Sequence, residues 1–151
     1  MKINNKINFI IFSTIVISFN SYGYSKREVV KDLYLNYRKG NYLKVIDTAG
    51  ILNNFQTTQG LAAYWKGLCY NKLGQYDLAV NNFEQAIKVK SLDAKDLHYE
   101  YGQALYAIGE IDKSMIQFHL SAKAGVKKAA SVYYLGIISE LLDKKNQAIK
   151  Y

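Results

Sequence analysis

The chain has 151 residues, half of them hydrophobic, with ten glycines, no proline and fourteen tyrosines. That length suits one domain, and the lack of proline permits long helices while excluding a turn-rich β-sandwich. The net charge of +8 is dispersed in pairs such as Lys26-Arg27, Arg38-Lys39, Lys127-Lys128 and Lys144-Lys145. Such scatter marks a solvated surface, so no nucleic-acid partner is expected, although a weak association with anionic membranes stays open.

The N-terminus reads differently from the rest. Lys2 and Lys6 precede an apolar-rich stretch, Ile7 to Phe19, and the small residues Ser21 and Gly23 follow. A basic start, a short apolar centre and a small-residue exit form the pattern of a secretory signal peptide over residues 1–23. The stretch is shorter than the ~20 residues a membrane-crossing helix needs. Cleavage is expected after Gly23, with Ser25 as the nearby alternative site. An uncleaved anchor in an inner membrane is the competing reading. The segment holds no cysteine, which excludes lipid attachment there.

Cys69 is the one cysteine, so no internal disulfide can form even in an oxidising compartment. Its neighbours Leu68 and Tyr70 place it on a predicted helix, where a buried thiol is the expected role. Pairing with another chain is the lesser alternative.

Beyond residue 25 the chain repeats itself. Gly40, Gly74 and Gly109 stand 34 and 35 residues apart, each after a helical stretch. Tyr42, Tyr76 and Ile111 follow two residues later, then Val45, Ala79 and Ser114 at five. Continuing the stride leads to Asp143 and Ala148. Upstream, Gly67, Gly102 and Gly136 recur at 35 and 34. A period of this length is the signature of a solenoid of stacked units. Each unit is predicted to be a helical hairpin. Gly74 ends one helix by taking positive φ, Gly67 lets the second helix approach, and Ala79, Phe83 and Ala86 line the approaching face.

These positions resemble the tetratricopeptide repeat family. Residues 60–94 carry its pattern at Gly67, Tyr70, Gly74, Tyr76, Ala79, Phe83 and Ala86, and depart from it at Ala63, Lys66 and Ser91. Residues 95–128 carry it at Tyr101, Gly102, Leu105, Gly109, Ser114, Phe118 and Ser121, and depart at His98 and Val126. Residues 129–151 hold a partial unit with Val132, Leu135, Gly136 and Ala148. Residues 26–59 form a divergent first unit, resting on Gly40, Tyr42, Val45 and Leu52. Between Ala124 and Gly136 the spacing is similar to the related SEL-type repeat. The resemblance implies an all-α fold, a right-handed α-solenoid of stacked antiparallel hairpins. The partial last unit is expected to leave an apolar face for a partner or a second copy.

The resemblance also implies a concave groove lined by the first helix of each unit. Transferred position by position, it consists of Leu61, Tyr64, Leu68, Asn71 and Lys72, then Asp96, Tyr99, Gln103, Tyr106 and Ala107, then Ala130, Tyr133, Ile137, Glu140 and Leu141. Tyr64, Tyr99 and Tyr133 would form a ladder, one rung per unit, unless their rings pack between helices instead. Tyrosines fill places where a carboxylate clamp would need polar groups. An apolar or aromatic peptide segment is therefore the expected ligand, with Asn71 or Lys72 adding polar contacts.

Nothing in the chain points to catalysis. His98 and His119 lack partners at metal-ligand spacing, no phosphate loop or nucleophile elbow occurs, and nothing near Cys69 suggests an activating base. No metal or cofactor is expected. The reading is a non-catalytic protein-interaction module exported to a bacterial periplasm or secreted. Its competitors are a structural subunit stacking through its last unit and a membrane-tethered scaffold.

Overall fold

The computed structural model describes residues 25–55, 58–89, 92 and 94–149. The expected signal segment lies outside them. Seven α-helices and no strand occur among the described residues: α1 Lys26–Arg38, α2 Tyr42–Ala49, α3 Gln59–Lys72, α4 Tyr76–Ile87, α5 Leu97–Ala107, α6 Ile111–Ala124 and α7 Lys128–Ile149. A 3₁₀ turn, Gly50–Asn54, follows α2. Each helix packs on the next in the chain, and α3 also touches α5 across the helix between them. The fold is all-α.

Local chemistry sets the helix ends. Ser25 caps α1 through a reciprocal pair: its Oγ accepts from the Glu28 N–H at 3.3 Å, and its own N–H donates to Glu28 Oε2 at 2.8 Å. These bonds hold the exposed Glu28 carboxyl below the usual carboxylate range, the backbone donor contributing most.

The first helix of each of the first three pairs ends in the same turn. Gly40, Gly74 and Gly109 take φ of +79°, +71° and +82°. In each case the following N–H reaches back to a carbonyl five residues earlier: Asn41 to Asn36 at 3.0 Å, Gln75 to Tyr70 at 2.9 Å, Glu110 to Leu105 at 2.9 Å. A residue with a Cβ would be strained there, which is why glycine keeps the stride.

Close approach is the second use of glycine. A Cβ on Gly67 would lie 2.7 Å from a ring carbon of Phe83, and one on Gly102 would lie 3.0 Å from Phe118. Both rings are fully buried, as are Ala79 and Ser114 beside them. Ser114 donates from Oγ to the Gly102 carbonyl at 2.9 Å, fastening α6 to α5 where Ala79 merely packs. Ser131 Oγ donates to Ser121 Oγ, which donates to the Val126 carbonyl, so buried hydroxyls also join α6 to α7. Tyr70 and Ala86 pack with the core as expected.

The fourth unit differs from expectation. α7 runs without a break for 22 residues through Asp143. No hairpin turn forms there, and among the described residues nothing lies within 4 Å of a Cβ placed on Gly136. Gly136 is therefore corrected from a packing glycine to an exposed one. Asp143 supplies neither the positive φ nor the missing Cβ that make the three earlier turns, so the helix continues. The Ala148 side chain lies outside the described part.

Candidate functional site

A cleft of about 380 Å³ opens where the ends of α3, α5 and α7 meet, lined by Asn71, Lys72, Tyr76, Glu100, Gln103, Tyr106, Ala107 and Tyr134. Three successive first helices thus contribute to it, with Tyr76 added from α4.

Hydrogen bonds join these helices across the cleft. Asn71 Nδ2 donates to the Glu100 carbonyl at 2.9 Å and to Glu100 Oε2 at 3.4 Å. Gln103 Nε2 donates to the hydroxyls of Tyr99 at 3.1 Å and Tyr134 at 3.2 Å, using both of its N–H groups. Tyr134 stacks flat on Phe118, with centroids 4.6 Å apart and planes 7° from parallel. The rings of Tyr99 and Tyr106 meet Tyr134 edge-on at 6.3 and 5.6 Å. Such contacts fix the ring geometry.

Two features of the cleft remain electrostatically unbalanced. Asn71 Oδ1 is buried without a hydrogen-bond partner. The Glu100 carboxyl is pushed above its ordinary range, first by burial and further by Asp96, with Lys72, the Asn71 amide and Lys127 acting in the opposite direction. Among the described residues no cation lies within ion-pair distance of Glu100.

Of the expected groove residues, Asn71, Lys72, Gln103, Tyr106 and Ala107 come together at this cleft. The tyrosine ladder does not form a continuous surface. Tyr64 is 8 % exposed, packed on Trp65, with its hydroxyl donating to Asp96, and Leu68 is 5 % exposed. Both are corrected to core residues, because the neighbouring first helix closes over them. Burial, then that bond to Asp96, drives the Tyr64 phenol far up. Tyr99 is half-buried between Phe118 and Tyr134. Tyr133 is 67 % exposed, and the adjacent Tyr134 turns into the cleft in its place. Leu61, Ala130 and Ile137 are partly buried, Asp96 accepts from Tyr64, and Glu140 and Leu141 are exposed without lining the cleft.

Sequence reasoning missed Glu100, Tyr76 and Tyr134. Glu100 lies four residues after Asp96 and three before Gln103, on one stripe of α5, and that spacing was the available signal.

His98 Nδ1 pairs with Gln117 Oε1 at 2.8 Å between α5 and α6, while His119 is exposed. Among the described residues no group of three His, Cys, Asp or Glu is placed to hold a metal ion, and no helix is long and apolar enough to cross a membrane. A scan against protein-family models finds no match, and a search of curated proteins finds none either.

Proposed function

We propose that the chain is a non-catalytic interaction module of the tetratricopeptide type. Its stacked hairpins form a right-handed solenoid, and the cleft between α3, α5 and α7 belongs to a groove that binds a peptide or protein segment. The observation that carries this reading is the cleft itself: aromatic rings and amides from three first helices, locked by mutual contacts, facing open space. Rigid tyrosines suit peptide recognition, supplying apolar area with little entropy to lose and hydroxyl tips for hydrogen bonding. The N-terminal pattern supports export to a bacterial envelope, which an alkaline-phosphatase fusion tests directly.

Affinity capture from envelope extract, compared between the wild-type chain and Tyr106→Ala, tests binding through the cleft. The partner should be retained by the first and lost by the second, while Leu43→Ser on the exposed face of α2 keeps it. Equal capture by all three would remove the cleft from the binding surface.

A second reading, a structural subunit that stacks through α7, rests on the exposed Val132, Tyr133 and Leu141 and the open Gly136. Sedimentation across a range of concentrations tests it, and a monomer throughout would count against stacking.

A further inference from the structure

The cleft holds one carboxylate, Glu100, among tyrosine rings and amides, with Lys72 also in its lining. The amide N–H groups of Asn71 and Gln103 are engaged with Glu100 and with two tyrosine hydroxyls. Asn71 Oδ1 is buried and unpartnered, and among the described residues the Glu100 carboxylate has one side-chain donor, the Asn71 amide at 3.4 Å. A partly buried carboxylate with a single long hydrogen bond is under-solvated, and a neighbouring orphan acceptor compounds the deficit. The rings of Tyr76, Tyr106 and Tyr134 line the same space.

We propose that the cleft receives a cationic side chain, the guanidinium or ammonium of an arginine or lysine in the bound segment, with Glu100 as counter-ion. The tyrosine rings serve as its walls. This deepens, and rests on, the binding-module reading above. An arginine fits the chemistry best, since its planar fork of N–H donors can meet a carboxylate bidentately and lie against aromatic faces. Lys72 is exposed at the rim, and its flexible stem lets the ammonium remain in water while another cation occupies the interior.

The two charges make the test a matter of sign. Three matched peptides, acetyl-Gly-Ala-X-Ala-Gly-amide with X as arginine, norleucine or glutamate, are titrated into the ¹⁵N-labelled full chain and followed by NMR. The arginine peptide should shift the amides of Asn71, Glu100 and Gln103. The norleucine and glutamate peptides should bind about tenfold more weakly or worse, the factor expected for a lost charge-assisted hydrogen bond. Glu100→Gln should weaken the arginine peptide by a similar factor, whereas Lys72→Gln, which removes a like charge from the cleft lining, should tighten it. If Glu100→Gln disturbs the spectrum of the free chain, Lys72→Gln, at an exposed site, still carries the sign alone.

Preference for the glutamate peptide, tighter arginine-peptide binding in Glu100→Gln, or unchanged or weaker arginine-peptide binding in Lys72→Gln would overturn the cation site while leaving the binding module intact. Failure of every peptide to move the cleft amides would overturn it too. The module itself stands or falls by the Tyr106→Ala capture experiment.

Discussion

Gly67 and Phe83 are packed so closely that no side chain fits between them: a methyl carbon on Gly67 would sit 2.7 Å from the ring. Gly102 and Phe118 repeat the arrangement at 3.0 Å, and Gly136 meets nothing within 4 Å among the described residues. Three glycines on one stride therefore respond differently to alanine. Each mid-helix replacement gains up to ~1 kcal/mol of helix propensity. At Gly67 the overpacked ring costs about 1–3 kcal/mol and wins, so Gly67→Ala should lower stability. At Gly102 the two effects nearly cancel. Gly136→Ala should raise stability by up to ~1 kcal/mol. Urea titrations of the three variants check the order, and a stabilising Gly67→Ala would mean the hairpin crossing is looser than its geometry.

The three equivalent tyrosines diverge in the same way. Tyr64→Ala empties a buried site and leaves Asp96 without its phenol donor, so a loss of about 3–5 kcal/mol is expected. Tyr133→Ala removes an exposed ring and should stay within about 0.5 kcal/mol of wild type. Tyr99→Ala falls between, since the ring packs on Phe118 and Tyr134 yet is half open. Thermal melts at one pH rank them. Equal losses at Tyr64 and Tyr133 would contradict the packing.

How much of this was legible in the residues depends on what each feature requires. A hairpin turn at positive φ needs glycine, so Gly40, Gly74 and Gly109 announce themselves by spacing. Small opposite large is likewise readable, as with Gly67 against Phe83. The straight course of α7 was readable too, but only by asking whether Asp143 can do what glycine does; counting residues alone suggested another turn. The site was harder. Tyr64, Tyr99 and Tyr133 occupy one repeat position, and their environments differ because of what lies beyond each helix: α5 over Tyr64, α7 beside Tyr99, and no further described helix beyond Tyr133. A single-chain pattern carries the helix face, but not the neighbour that covers it. Glu100 escaped notice because an acid on a stripe of tyrosines and glutamine gains meaning only when burial and the Asn71 amide are seen around it.

Glu100 yields a pH signature. Burial raises its folded-state value above the ordinary 4.5, so the unfolded chain releases this proton more readily than the folded one. The group is therefore harmless to stability well below pH 4.5 and increasingly unfavourable as pH rises through and past that value. Glu100→Gln keeps the shape and an acceptor for Asn71 while removing the charge. The variant should melt higher than wild type at pH 7, and the gap should close near pH ~3 where both are neutral. A wild-type chain more stable than Glu100→Gln at pH 7 would mean that Lys72 and Asn71 outweigh desolvation.

The capping pair at Ser25 bears on where an N-terminal segment would be cut. Cleavage after Gly23 leaves Ser25 and its bonds to Glu28 intact, whereas cleavage after Ser25 removes the cap. Ser25→Ala should cost about 1 kcal/mol by losing the side-chain acceptor. A chain beginning at Lys26 should lose at least as much. If export occurs, the mature N-terminus is expected at Tyr24, which N-terminal sequencing of the envelope fraction decides; Lys26 there would show that processing disregards the cap.

Cys69 bears on whether two chains can be joined. It is fully buried on α3, and burial pushes its thiol up to about 12. The reactive thiolate is therefore strongly disfavoured near neutral pH, and the buried sulfur is closed to solvent while the helix is in place. A disulfide to a second copy therefore requires the hairpin to open first. An aromatic disulfide reagent should label no thiol in the native chain over minutes and one per chain in guanidinium. The labelling midpoint should coincide with the midpoint of lost helicity, since global unfolding is then the route to exposure. Labelling at the rate of a free cysteine under native conditions would mean that α3 opens locally, and interchain pairing would return as a competing role for this residue.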